Sequence, residues 1–167
     1  GISKVESRAD AFYVMDGSRW GRSVTNAVAD INGVDTNYAA VYYPWVKILD
    51  SVKNKPMWVP PSVVLPGVIS FTDSVAHEWF APAGLNRGGL GSVLEAKTRL
   101  THTERDELYE GRVNPIASFP GQGVVVFGQK TLQGKPSALD RINVRRLLIR
   151  LRKFIASSSR FLVFEQN

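Results

Sequence analysis

NPIASFPGQGVVVFGQKT at residues 114–131 and SALDRINVRRLLIRLRKF at 137–154 carry the fold. The first reads as a turn feeding a strand. Pro120, Gly121 and Gly123 break the chain, and Val124–Phe127 then make a short unbroken apolar run. Such a run between turn signals predicts a central strand buried on both faces. The second reads as a helix over 140–156. Asp140 or Asn143 is expected to cap it, because a short side-chain oxygen accepts a free backbone N–H at a helix start. At about 100° per residue, Val144, Leu147, Leu148, Leu151, Phe154 and Ile155 share one stripe. Arg145, Arg146, Arg150, Arg152 and Lys153 fill the other side, with Ile149 stranded among them. The stray Ile allows two readings: a solvated charged face with one exception, or a basic face covered by something in the working assembly.

Upstream, DAFYVMD at 10–16 predicts a strand, and Ser23–Ile31 a short helix stopped by Asn32-Gly33. YAAVYYPWVKIL at 38–49 is rich in aromatic and β-branched residues and predicts a strand, with Pro44 marking an edge or bulge. After WVPPS, Pro66 argues against a regular helix over 63–71. Residues 81–92 form a glycine-rich loop and Val93–Leu100 a strand. TERDELY at 103–109 predicts a helix capped by Thr103 and ended by Gly111. Ser157–Ser159 reads as a flexible break and Phe161–Phe164 as a last strand. The sum is a mixed α/β (α+β) fold: a central mixed sheet, helices packed on it, and a long basic amphipathic helix near the C-terminus. Phe12, Val14, Val41, Tyr43, Val125, Phe127, Leu147, Leu148 and Leu151 are the expected core.

The chain has 167 residues, the size of one domain, and no cysteine. No apolar run reaches the roughly 18 residues of a membrane span. The net charge of +6 is uneven. Residues 1–140 hold 14 basic and 14 acidic side chains, whereas 141–167 hold 7 basic and one acidic, Glu165. An excess placed this way suggests an acidic partner for one face: nucleic acid, an anionic membrane or an acidic protein surface.

Catalytic chemistry is hard to find. His77 and His102 are the two histidines, and neither has a spaced partner for a metal. We expect no catalytic residue, no cofactor and no metal. Gly123–Thr131 approaches a phosphate loop, but Gln129 intrudes before Lys130, and a strand there would spend its N–H groups on a ladder.

Six segments in order resemble the tail sheath proteins of contractile bacteriophage tails and their relatives in bacteriocins and secretion systems. They are YAAVYYPWVKILD (38–50), WVPPS (58–62), APAGLNRG (81–88), NPIASFPGQGVVVFGQKT (114–131), INVRRLLIRL (142–151) and VFEQN (163–167). Residues 1–37 fit less closely, as a strand-helix lead-in. The resemblance implies a single sheath core over 1–167, with 38–167 the core and C-terminal part of a fragment lacking its terminal arms. It implies a virion-tail protein, assembled in the host cytoplasm and polymerising in six-membered helical rings around an inner tube. Contraction of those rings drives the tube through the host envelope. The implied partners are further copies, the tail tube, the baseplate and the terminator, with neither nucleic-acid contact nor membrane insertion. Arg145, Arg146, Arg150, Arg152 and Lys153 are then candidates for meeting the tube or a neighbouring subunit. The alternative is a basic nucleic-acid-binding module, although no aromatics interleave with the arginines of 141–153.

Overall fold

The computed structural model describes residues 2–17 and 23–165. Among them the helices are α1 (Ile2–Arg8), α2 (Val24–Asp30), α3 (Pro61–Val75), α4 (His102–Glu110) and α5 (Ile142–Ser158). The strands are β1 (Tyr13–Asp16), β2 (Ala39–Tyr43), β3 (Val46–Asp50), β4 (Lys55–Val59), β5 (Val93–Ala96), β6 (Val113–Phe119) and β7 (Gly123–Val126). One sheet has the order β1-β2-β6-β7, with β1, β2 and β6 parallel and β7 antiparallel. The other is antiparallel, in the order β4-β3-β5. The fold is thus α+β with mixed pairing, as the sequence predicts.

The middle of the larger sheet is AAVYY, not VVVF. All five residues of β2 are buried. Side chains alternate across a strand, so Ala39, Val41 and Tyr43 enter one core with Val24, Ala27, Ile31, Leu108 and Val113. Ala40 and Tyr42 enter the other, with Val46, Leu65, Val68, Ile116, Val126 and Ile142. Helices α2 and α4 therefore cover one face, and α3 with the second sheet covers the other. The expected single strand over 38–49 is two strands: the chain leaves the first sheet at Pro44, after a cis Tyr43–Pro44 bond, and joins the second at Val46.

Strand β7 sits at the edge of its sheet, which corrects its expected central place. Residues 114–119, read as a turn, are instead most of β6, and the turn to β7 is Pro120–Gln122, with Gly121 and Gly123 at positive φ. The outer edge of β7 is sealed by the glycine-rich loop. Gly84 N–H donates to Val126 O at 2.8 Å, Val126 N–H to Gly88 O at 2.8 Å and Leu90 N–H to Val124 O at 2.9 Å. An edge with its ladder groups taken cannot template another strand.

Helix α3 forms despite Pro66. Pro61 occupies its first turn, where the missing N–H costs nothing. Leu65, Val68 and Thr72 make a buried stripe that outweighs the one hydrogen bond lost at Pro66. The cap of α4 is Thr101 and not Thr103, because a capping box closes there: Glu104 N–H donates to Thr101 Oγ1, and Thr101 N–H donates to the Glu104 carboxylate at 2.8 Å. Helix α5 starts without a side-chain cap, against the expectation for Asp140 or Asn143. Ile142 N–H donates to Gln129 O at 2.9 Å, a backbone acceptor from a segment that pairs with Arg141.

The break expected at Ser157–Ser159 is absent. The helix runs to Ser158 and tightens into a 3₁₀ turn at Ser159–Leu162. The strand expected at 161–164 has no neighbouring ladder among the described residues, and its backbone groups close local bonds: Val163 N–H donates to Arg160 O and Glu165 N–H to Leu162 O. Gln166 and Asn167 of VFEQN lie outside the described residues.

Candidate functional site

Helix α5 docks on its basic side. Ile142, Arg145 and Ile149 are its buried residues, spaced as one face of a helix. The predicted apolar stripe points the other way. Leu148 and Leu151 are exposed, Phe154 is 63% exposed and Ile155 60%, while Val144 and Leu147 are half-buried. Phe127, also expected in the core, is 43% exposed, just past the end of β7. Phe12 and Val14 are partly buried, and Val41, Tyr43 and Val125 are buried as expected. From Arg150 to Ser158 every residue is exposed, so the outer half of α5 faces solvent over most of its surface.

The seat that receives the basic face is polar, which is why arginines fit it. Arg145 is 6% exposed. Its guanidinium lies 4.2 Å from the centre of the Tyr38 ring and donates to the Tyr38 hydroxyl at 3.1 Å. Burial lowers its pKa from the ordinary arginine value, the Tyr38 hydroxyl opposes that, and Arg152 adds to it. Arg146 pairs with Asp73 in the last turn of α3 through one nitrogen, Nη2, which lies 2.8 and 2.6 Å from the two carboxylate oxygens. Its other terminal nitrogen donates to Glu78 O at 3.3 Å. Arg150 approaches the Glu78 carboxylate at 3.4 Å. Asn143 donates to Trp79 O at 3.3 Å.

The loop carrying these acceptors is itself braced. His77 stacks on Trp79 with ring centres 4.4 Å apart, and Arg87 sits over Phe80 at 5.1 Å while donating to Ala81 O. The Arg146–Asp73 pair is two-thirds or more shielded from solvent on both sides. Charge-assisted and partly desolvated, it is worth on the order of 2 kcal/mol.

Of the five basic candidates, Arg145, Arg146 and Arg150 are therefore engaged within the chain. Arg152 makes no ion pair among the described residues. Lys153 lines a cavity of about 260 Å³ with Asp10, Phe12, Asp73 and Glu78. The charge asymmetry of the sequence is accordingly reduced in space, since Asp73 and Glu78 come from the balanced portion and answer arginines from the basic one. Sequence reading missed this acidic seat; its one signal was Ile149, the residue that marks the docked face.

Because Leu148 is partly exposed, Leu148→Ala should lower stability by less than about 1 kcal/mol, against the 2–5 kcal/mol of a buried site. A urea titration that gave the larger loss would place the stripe inside.

Among the described residues there is no group of three or more potential metal ligands and no helix long and apolar enough to cross a membrane. The backbone of the phosphate-loop look-alike is spent inside the fold: Phe127 N–H donates to Pro115 O and Lys130 N–H to Asn114 Oδ1. Two sheets joined by one shared core, with a helix whose apolar side faces outward, make a folded body with an exposed apolar stripe.

The comparisons give the family. The model of the phage tail sheath protein central domain matches residues 2–132. The chain belongs to the phage tail sheath protein family, the structural proteins of contractile tails. It is 38% identical to the tail sheath protein of Vibrio phage KVP40 over 155 residues, which is 92% of this chain and 23% of that protein. It is 35% identical to the tail sheath protein of Enterobacteria phage T4 over 87% of this chain and 22% of that protein. Among solved structures, the sheath complex of an extracellular contractile injection system in its contracted state, PVC, superposes with a TM-score of 0.80 at 32% identity. That match covers 93% of this chain and 42% of the other. The contracted helical sheath of the anti-feeding prophage gives 0.79 at 28% identity, covering 99% of this chain and 43% of the other. The chain thus spans under a quarter of the length of the curated relatives it matches. The family match begins at residue 2 and so takes in the lead-in that the six motifs leave aside.

Proposed function

We propose that this chain is the core of a sheath subunit that stacks in six-fold helical rings around an inner tube and shortens to drive the tube through a host envelope. The observation that carries this reading is the match, over nearly the whole chain, to sheath structures in the contracted state. The outward apolar stripe of α5 supports it, because a subunit in a polymer has protein surface to set against such a stripe. The proposed partners are further copies, the tail tube, the baseplate and the terminator, with assembly in the host cytoplasm before incorporation into the virion tail. Residues 1–167 act as one sheath core unit. Within it Arg145, Arg146 and Arg150 fix the helix, while Arg152 and Lys153 meet an acidic tube or neighbouring subunit. Exposed charge pairs of this kind are screened and weak one at a time, which suits a surface that has to release.

Electron microscopy of the complete gene product, with and without a tube as template, tests the reading. Rings or tubes are expected, and Arg152→Glu with Lys153→Glu should reduce tube docking or ring stacking at least tenfold. Monomers under every salt condition, with a tube supplied, would overturn self-assembly. Normal docking and stacking by the charge-reversed protein would remove the two residues from the interface and leave the sheath reading standing.

A further inference from the structure

We propose that α5 is a lever: Ile142 is its pivot, a polar socket at the end of α3 sets its angle, and the outer half swings when that socket is emptied while the two-sheet body stays folded.

The pivot is firm. Ile142 is fully buried in the core that Tyr42, Leu65 and Val126 share. Its N–H donates to Gln129 O, and the segment before it is pinned by Thr131 N–H donating to Asp140 O at 2.8 Å and Thr131 Oγ1 to Leu139 O at 2.9 Å. One turn on, Arg145 is set against Tyr38. The links at Ile142 hold the base of the helix whatever its far end does, and Arg145, roughly 5 Å along the axis, shifts by under about 2 Å in a rotation of about 20° there.

Beyond that turn the fastening changes character. Arg146 and Arg150, with Asn143 from the first turn, converge on three consecutive features of one corner: the Asp73 carboxylate, the carbonyl and carboxylate of Glu78, and the Trp79 carbonyl. Ile149 is the one buried apolar side chain past the pivot. A helix held by apolar burial along its length has no single release point, because many weak contacts share the load. A helix held past its base by the Arg146 contacts to Asp73 and Glu78 O, one exposed ion pair, one buried isoleucine and a half-buried Leu147 has few, and they gather at one corner.

There is also room for movement. The cavity of about 260 Å³ lies alongside, lined by Asp10, Phe12, Asp73, Glu78, Ile149 and Lys153. A second, of about 310 Å³, continues from it between α1 and Lys153. The 17-residue helix is roughly 25 Å long at about 1.5 Å per residue, so a rotation of about 20° at the pivot carries its end roughly 8 Å. A swing of α5 within one copy does not require that copies assemble.

The absence of cysteine makes the test direct. Nitroxide labels at Thr103→Cys on α4 and Ser157→Cys on α5, both exposed positions, report the lever angle as a spin–spin distance by pulsed electron resonance. The parent chain should give one narrow distribution. Arg146→Gln and Asp73→Asn should each at least double its width or add a second distance, with the near-ultraviolet circular dichroism of the body unchanged. Arg150→Gln, which removes the more exposed pair, should broaden it less. Asp73→Arg combined with Arg146→Asp should bring back the narrow distribution. A distance unmoved by every single substitution would overturn the lever. So would loss of the near-ultraviolet signal together with the distance in Arg150→Gln as well as in the two socket variants, because the socket would then be part of the core.

Discussion

Replacing Asn114 with Leu should cost about 3–5 kcal/mol of unfolding free energy and lower the thermal midpoint by roughly 10 °C. Asn114 is fully buried in β6, at the centre of the larger sheet. Its Nδ2 donates to Val41 O at 3.0 Å and to Lys130 O at 2.8 Å, and its Oδ1 accepts Lys130 N–H at 2.6 Å. One side chain thus ties the central strand β2 to the segment that leaves β7 on its way to α5. Leucine has the same branched outline but is larger, so the substitution removes the polar partner, opens no void and adds some overpacking. Two carbonyls and one N–H are left dry, and the penalty for unmet backbone groups is what makes the effect large. Urea unfolding followed by tryptophan fluorescence measures it. A loss under about 1 kcal/mol would mean that those three groups find other partners.

Gly88→Ala should have the second-largest effect, about 3 kcal/mol, accompanied by aggregation. A Cβ built at Gly88 would stand 2.6 Å from Val126 O and 2.8 Å from both Gly84 N and Gly84 O. All three are backbone atoms, so no side chain can rotate away, and the loop has to lift off β7. Lifting it frees the edge of β7, which then offers its ladder groups to another chain. Gly91→Ala is the control, because a Cβ there meets nothing within 4 Å. Circular dichroism melts with light scattering should separate the two glycines. Equal melts and equal scattering would show that the seal has slack.

Local signals were legible where a short segment decides its own state. Aromatic and β-branched enrichment located β2, the turn chemistry of Pro120–Gly123 located β7, and the 3.6 period located α5 to within two residues at each end. Two strands of similar composition could not be ranked by position: AAVYY is central and VVVF peripheral because of pairing across the chain, which periodicity does not encode. The orientation of α5 failed for a related reason. Periodicity tells which side of a helix is apolar, and it tells which side is inside only if the seat is apolar too. Here the seat is made by Asp73, Glu78 and Tyr38, between 68 and 107 positions away from the arginines they meet. Ile149 carried the hint, and what covers the inner end of the basic face, at Arg145 and Arg146, is the chain itself.

The crossing at Pro44 bears on how the chain carries load. β2 is an inner strand of the first sheet and β3 the middle strand of the second, and only Pro44 and Trp45 separate them. The two sheets are therefore joined in series through covalent backbone, centre to centre. A force that pulled them apart would first meet the ladders on both flanks of β2 and of β3, loaded along the strand direction, where many hydrogen bonds have to yield together. An arrangement joined at the rims would unzip one bond at a time. A fold wired this way is expected to be stiff along the line that joins its two sheets.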